Sequence, residues 1–207
     1  MNQESKLAQY LLEIKAVKLQ PSEPFKWSSG WNSPIYCDNR VTLSYPHIRT
    51  FIKEEMSKMI STQFKEANAI CGVATAGIAM GALVAENLNL PFSYCRPKPK
   101  EYGMKNQLEG YIEPGSKVVV LEDLISTGGS SIKVVDFLRE AGFEVIGMAA
   151  IFTYGFEEAQ RNFNSINCPV ACLGNFEAMI SYASSIGYVE ASDLDTLSEW
   201  RKNPSNW

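Results

Sequence analysis

Val118-Val119-Val120-Leu121-Glu122-Asp123-Leu124-Ile125-Ser126-Thr127-Gly128-Gly129-Ser130-Ser131 decides the fold of this 207-residue chain. Val118 to Leu121 is wholly apolar, as a strand buried on both faces of a sheet must be. Two acids follow directly, at the carboxyl end of that strand, where open α/β sheets bind their ligands. Hydroxyl and glycine residues come next and run into a helix over Ile132 to Arg139, which Ala141-Gly142 ends. Glycine lets a backbone come close to a ligand, and free amides at a helix N-terminus attract anions. Ser and Thr hydroxyls can donate to the same oxygens.

The same alternation continues on either side. Ala69 to Val73 reads as a strand, Ala74-Thr75-Ala76-Gly77 as a small-residue turn, and Ile78 to Leu88 as a helix. Phe92 to Cys95 and Val145 to Ile151 read as further strands, with helices around 156–163, 177–184 and 194–202. Strands alternating with helices predict βαβ units around a parallel sheet. Toward the N-terminus, Leu7, Leu11 and Ile14 mark a short amphipathic helix. Phe25 to Tyr36 is rich in aromatic and turn-forming residues and reads as a hairpin or two short strands with a Ser-Gly turn. Ser44 is the expected N-cap of a long helix whose apolar stripe is Ile48, Phe51, Ile52, Met56 and Met59-Ile60. The expectation is one α/β domain over 1–207, with a small N-terminal hood over about 1–40 and a core over about 41–207.

Bulk composition narrows the function. Hydrophobic residues are 45% of the chain and charged residues 20%, with net charge −4. That suits a packed globular domain and disfavours nucleic-acid binding by a global positive field. The polar N-terminus lacks a signal-peptide pattern and no apolar run is long enough to span a bilayer, so the expected compartment is the cytoplasm. Five cysteines without CxxC pairs fit neither a disulfide framework nor a zinc site. Cys71 and Cys95 read as buried thiols. The single histidine, His47, follows Pro46 near a helix start and reads as an ordinary helix residue, which leaves little room for His-dependent nucleophilic catalysis.

A second unusual stretch is Arg96-Pro97-Lys98-Pro99-Lys100-Glu101-Tyr102-Gly103-Met104-Lys105-Asn106-Gln107. Cations, prolines and a glycine without periodicity, in an acidic chain and just after a strand, suit a mobile cationic lid over 96–108. An anion cradle beside two carboxylates matches a ribose 5-phosphate: amides for the phosphate, acids for the sugar hydroxyls.

The Glu122-to-Ser131 string resembles the signature with which type I phosphoribosyltransferases bind phosphoribosyl pyrophosphate (PRPP). Its Glu-Asp-Leu-Ile-Ser-Thr-Gly-Gly form is similar to that of orotate phosphoribosyltransferases. The 96–107 stretch resembles the catalytic loop of those enzymes, roughly Arg-Lys-x-x-Lys-x-His-Gly. Arg96, Lys100 and Gly103 match; Pro97 stands for a lysine, with Lys98 nearby, and Tyr102 stands for the histidine. Phe25-Lys26-Trp27-Ser28-Ser29-Gly30 and Ser33-Pro34-Ile35-Tyr36 are similar to the base-covering flap, where some members carry a lysine at the position of Ser28. Gly72 to Gly77 resembles the pyrophosphate loop. Phe152-Thr153-Tyr154-Gly155 lacks the arginine that members often place there for the orotate carboxylate.

The resemblance implies a central parallel sheet flanked by helices, transfer of phosphoribose from PRPP to orotate, and Mg²⁺ carried mainly by PRPP and water rather than by protein ligands. It implies catalytic roles for Lys100 and Asp123. PRPP contacts fall on Thr75, Ala76, Arg96, Lys100, Tyr102, Glu122, Asp123, Leu124, Ile125, Ser126, Thr127, Gly128, Gly129 and Ser130. Orotate contacts fall on Ser126, Ser28, Ile35 and Tyr36. The implied partners are PRPP, orotate and a second copy of the chain sharing its lid across a homodimer, with no nucleic acid and no membrane. Two rivals stay open: a phosphoribosyltransferase for a purine or uracil, and a PRPP sensor without turnover.

Overall fold

The computed structural model describes residues 2–27, 29–96 and 107–207. Helix α1 (Gln3–Glu13) is capped by the Asn2 side chain, which accepts from the Ser5 amide at 2.8 Å. Strand β1 (Val17–Leu19) follows, then β2 (Phe25–Lys26), β3 (Asn32–Ser33) and β4 (Ile35–Cys37). A 3₁₀ turn (Asn39–Ser44) leads into α2 (Pro46–Gln63). The alternating region holds β5 (Ala69–Val73), α3 (Ala76–Leu88), β6 (Phe92–Cys95), β7 (Leu108–Gly110), β8 (Lys117–Ile125), α4 (Gly129–Glu140) and β9 (Glu144–Thr153). It closes with α5 (Glu157–Ser165), β10 (Val170–Asn175), α6 (Phe176–Ser185) and α7 (Asp193–Lys202).

The main sheet has the order β10-β9-β8-β5-β6-β7, with β7 antiparallel to β6 and the other pairs parallel. Both faces are covered. Val119 and Leu121 join one core with Leu11 of α1, Ile52 of α2 and Met80 of α3. Val118 and Val120 join the other with Val134 and Leu138 of α4 and Phe163 of α5. That two-sided burial is why residues 118–121 carry no polar position. Cys71 and Cys95 are buried in the second core as expected, and His47 lies exposed on α2 beside the Tyr10 ring.

The structure corrects several expectations. Ser44 ends the 3₁₀ turn and does not cap α2; Tyr45 holds the cap position without a side-chain bond, and Pro46 starts the helix, where a missing amide costs nothing. Strand β8 runs on to Ile125, so the two acids lie within its last turns of pleat rather than after it. The flap contains one small hairpin, β2 with β3, whereas β4 pairs with β1, a strand that sequence did not suggest. The sheet is mostly, not wholly, parallel.

Candidate active site

The acid pair sits at the carboxyl end of β8, near the middle of the sheet. Glu122 is buried and accepts from the Ser131 hydroxyl at 3.0 Å and from the Asp123 amide at 3.1 Å. Burial, and then the neighbouring Asp123 charge, push its carboxyl well above the usual range. Burial raises Asp123 as well, while hydrogen bonding with Glu122 and, more weakly, the Arg40 guanidinium pull it back. Asp123 is half-exposed, so of the two it is the one presented to a ligand.

Beyond the acids, the chain turns through Ser126 and Thr127 into α4. Gly128 holds the N-cap at φ +81° with no side chain to cap the helix, so the first-turn amides of Gly129, Ser130 and Ser131 are left for a ligand. The loop is pinned from outside by Asn162, whose side-chain amide donates to the Thr127 carbonyl at 3.0 Å. The turn after β5 comes close to the same place. A Cβ on Gly77 would lie 2.5 Å from the Leu121 carbonyl oxygen, and one on Gly72 would lie 2.7 Å from the Gly77 oxygen. These two glycines let the Thr75-Ala76 turn, whose Ala74–Thr75 peptide is cis, seat against the strand bearing the acids.

A cavity of about 620 Å³ opens beside the Ser126-Thr127 turn. Trp27, Trp31, Tyr36 and Tyr154 give it aromatic walls, and Leu124 an apolar side. Lys26 and Glu158 are its charged borders among the described residues. Tyr154 stacks on Phe156 at 5.5 Å and lies 5.0 Å from the Trp27 ring, and wholly buried Trp200 of α7 backs both. Trp27 Nε1 donates to the Ile35 carbonyl at 3.1 Å and Trp200 Nε1 to the Asn32 carbonyl at 3.2 Å, fastening the flap from two sides.

The structure places Asp123 and Ala76 on one narrow cleft, and Tyr36, Leu124, Ser126 and Thr127 on the cavity, while Gly77 seats the Thr75-Ala76 turn against Leu121. Ile35 is different: it is wholly buried, its amide donates to Ser33 Oγ, and its carbonyl accepts from Ser33 and Trp27. It supports the cavity without lining it. Arg96 lies at the neck of the 96–107 loop, where its amide donates to the Gln107 carbonyl at 2.9 Å and the Gln107 side chain returns a bond at 3.0 Å. Its guanidinium is 3.8 Å from Glu109. Ser28, Lys100 and Tyr102 lie outside the described residues. Sequence reading missed Lys26, Trp27, Asn39, Arg40 and Tyr154. Lys26 and Trp27 lay inside the flap motif without being singled out, and Tyr154 stood where an arginine was looked for.

A mostly parallel sheet with an acid pair at the end of a central strand, followed by a glycine-capped helix, defines an enzyme built to hold a phosphorylated sugar. Residues 44–184 match the Phosphoribosyl transferase domain. A Bacteroides fragilis protein named orotate phosphoribosyltransferase is 53% identical over 206 residues, spanning 100% of this chain and 97% of that one. A Listeria monocytogenes protein of the same name is 50% identical over 207 residues, spanning 100% and 99%. The crystal structure of orotate phosphoribosyltransferase from Aeropyrum pernix superposes with TM-score 0.77 at 27% identity, covering 89% of this chain and 99% of that one. The chain belongs to the phosphoribosyltransferase family, in its orotate phosphoribosyltransferase branch.

Proposed function

We propose that this chain transfers the 5-phosphoribosyl group of PRPP to orotate, releasing pyrophosphate and giving orotidine 5′-monophosphate, in the cytoplasmic synthesis of pyrimidine nucleotides. The observation that carries this reading is the junction of three subsites: acids on β8, uncapped amides on α4, and the aromatic cavity against Ser126 and Thr127. The 5-phosphate is held by the amides and hydroxyls from Ser126 to Ser130. Glu122 and Asp123 take the ribose hydroxyls, and Asp123, the more exposed, is placed to relay a proton. Thr75 and Ala76 face the pyrophosphate.

The base nitrogen attacks the anomeric carbon as pyrophosphate departs, through a transition state with oxocarbenium character. Such a reaction needs no protein nucleophile; it needs positioning and charge stabilisation. Arg96 and Lys100 provide cations for the leaving group. Orotate is planar and carries a carboxylate. Trp27, Tyr36 and Tyr154 accept the ring, and Lys26, the cation bordering the cavity, meets the carboxylate in place of the absent arginine.

Among the described residues no group of three His, Cys, Asp or Glu could cage a metal. Asp123, the partly exposed acid, would fit beside an Mg²⁺ ion carried mainly by PRPP oxygens and water, which would supply neutralisation of pyrophosphate charge. Among the described residues no helix is long and apolar enough to cross a membrane.

The test is a panel of orotate, uracil, hypoxanthine and adenine with PRPP and Mg²⁺, read by pyrophosphate release. Turnover with orotate alone is expected. Turnover with a purine or uracil in its place, or PRPP binding without any turnover, overturns the assignment.

A further inference from the structure

Arg40 stands out as a cation that the mechanism above does not use. It lies in the 3₁₀ turn, between Asn39 and Thr42, both buried and bonded, so its backbone is held firmly. Its Nε donates to Asp38 Oδ1 at 2.6 Å and its Nη2 to Oδ2 at 2.7 Å, while the side chain remains 62% exposed. Nη1 makes no hydrogen bond among the described residues. An exposed ion pair two residues apart adds little to stability, about 0–1 kcal/mol. Its geometry therefore calls for another reason.

The position supplies one. Arg40 borders a narrow cleft together with Asp123 of β8 and Ala76 of α3. Its charge reaches both Asp123 and Tyr36. It thus shares a cleft with one acid assigned to the ribose and with a residue of the turn assigned to the pyrophosphate. Departing pyrophosphate concentrates negative charge on that side, where Arg40 would add to the cations that Arg96 and Lys100 provide. A fork-shaped guanidinium with a free edge suits phosphate oxygens.

We infer that Arg40 is a further PRPP-binding residue, which contacts the pyrophosphate end of the substrate and is held in position by Asp38. The inference rests on the PRPP reading of the site. It adds a cation from the flap side that the sequence signatures do not contain.

The test uses the whole enzyme, with Arg40→Gln, Arg40→Lys and Asp38→Asn. Calorimetry gives Kd for Mg-pyrophosphate and for orotate, and steady-state kinetics gives KM for PRPP and kcat. Arg40→Gln should weaken pyrophosphate and raise the PRPP KM by about tenfold or more, as expected for a charge-assisted contact, with orotate Kd within about twofold. Arg40→Lys should recover part of the loss, and Asp38→Asn should fall between. Pyrophosphate Kd and PRPP KM both within about twofold of native in Arg40→Gln would overturn the inference. The parent reading fails separately: native enzyme that binds pyrophosphate but does not turn over orotate leaves the Arg40 binding arm intact. Native protein that binds neither PRPP nor pyrophosphate sinks both.

Discussion

The side-chain amide of Asn39 donates to the carbonyl oxygen of Asp123 at 2.7 Å, tying the segment after the flap to the strand that bears the acids. Asn39 is itself buried, and its own carbonyl accepts from the Thr42 hydroxyl at 2.6 Å. Removing the amide leaves the Asp123 carbonyl without that donor. Asn39→Ala should cost about 1–3 kcal/mol in urea denaturation, the range for a buried polar group stripped of its partner. It should also lower kcat, because the backbone of Asp123 loses its anchor. A variant with native stability and native kcat would show the contact to be incidental.

Glu122 carries a pH signature. Its folded carboxyl titrates well above the ordinary value of 4.5, so the native chain holds a proton where the unfolded chain has released it. Stability from such a group is full below the unfolded value and is lost as pH rises through the folded one. Glu122→Gln is neutral throughout. Its melting temperature relative to native should therefore climb as pH rises above 4.5. A difference that stays constant between about pH 4 and about pH 8 would contradict the raised carboxyl.

Gly128 is constrained twice. Its φ is +81°, and a Cβ there would lie 2.6 Å from a ring carbon of Phe163. Gly128→Val should therefore lower the melting temperature as well as block the phosphate. Adding Phe163→Ala opens room on the protein side. The double variant should regain stability yet still bind PRPP about tenfold or more weakly, because the left-handed backbone and the approach to phosphate remain obstructed. Native PRPP affinity in the double variant, read by calorimetry, would remove Gly128 from the phosphate site.

Lys26 should decide how the carboxylate is read. Lys26→Met should weaken orotate by about tenfold or more while leaving uracil, which lacks the carboxylate, unchanged; Lys26→Arg should restore most of the loss. Trp27 and Trp31 line the same cavity, so quenching of tryptophan emission gives both affinities. Equal losses for orotate and uracil would place Lys26 in general packing instead.

The shared lid has its own test. Asp123→Asn and Lys100→Ala should each lower kcat/KM by about a hundredfold or more. If the lid of one subunit serves the other, mixing, unfolding and refolding the two variants makes hybrid dimers with one doubly damaged site and one intact site. Random pairing then restores about a quarter of all sites to full activity. Verified subunit exchange with no recovery would confine the lid to its own chain.

Much of this molecule was legible in its sequence, for identifiable reasons. Residues 118–121 are apolar at every position because both sheet faces are covered, and that pattern marks a strand without ambiguity. The acid pair and glycine turn declare themselves because their chemistry is local. Strand β10 escaped notice because Val170 to Asn175 mixes Cys, Gly and Asn with its apolar residues; only pairing with β9 makes it a strand. The pairing of β1 with β4 is likewise a tertiary fact. Arg40 and Asn39 look like ordinary turn residues in a linear reading. Asn39 bonds to a strand more than eighty positions away and Arg40 borders a cleft with it, which no spacing rule anticipates.

Trp200 invites a last consequence. It is wholly buried, lies behind Trp27 and Tyr154, and donates to the flap at Asn32. The wall of the cavity is thus assembled from the beginning, the middle and the end of the chain. A lineage could change its choice of base by trimming one indole in α7 and leaving every lining residue untouched. Catalogues of specificity confined to the lining would overlook such a step, and surveys of natural or laboratory variants should follow position 200 beside positions 27 and 154.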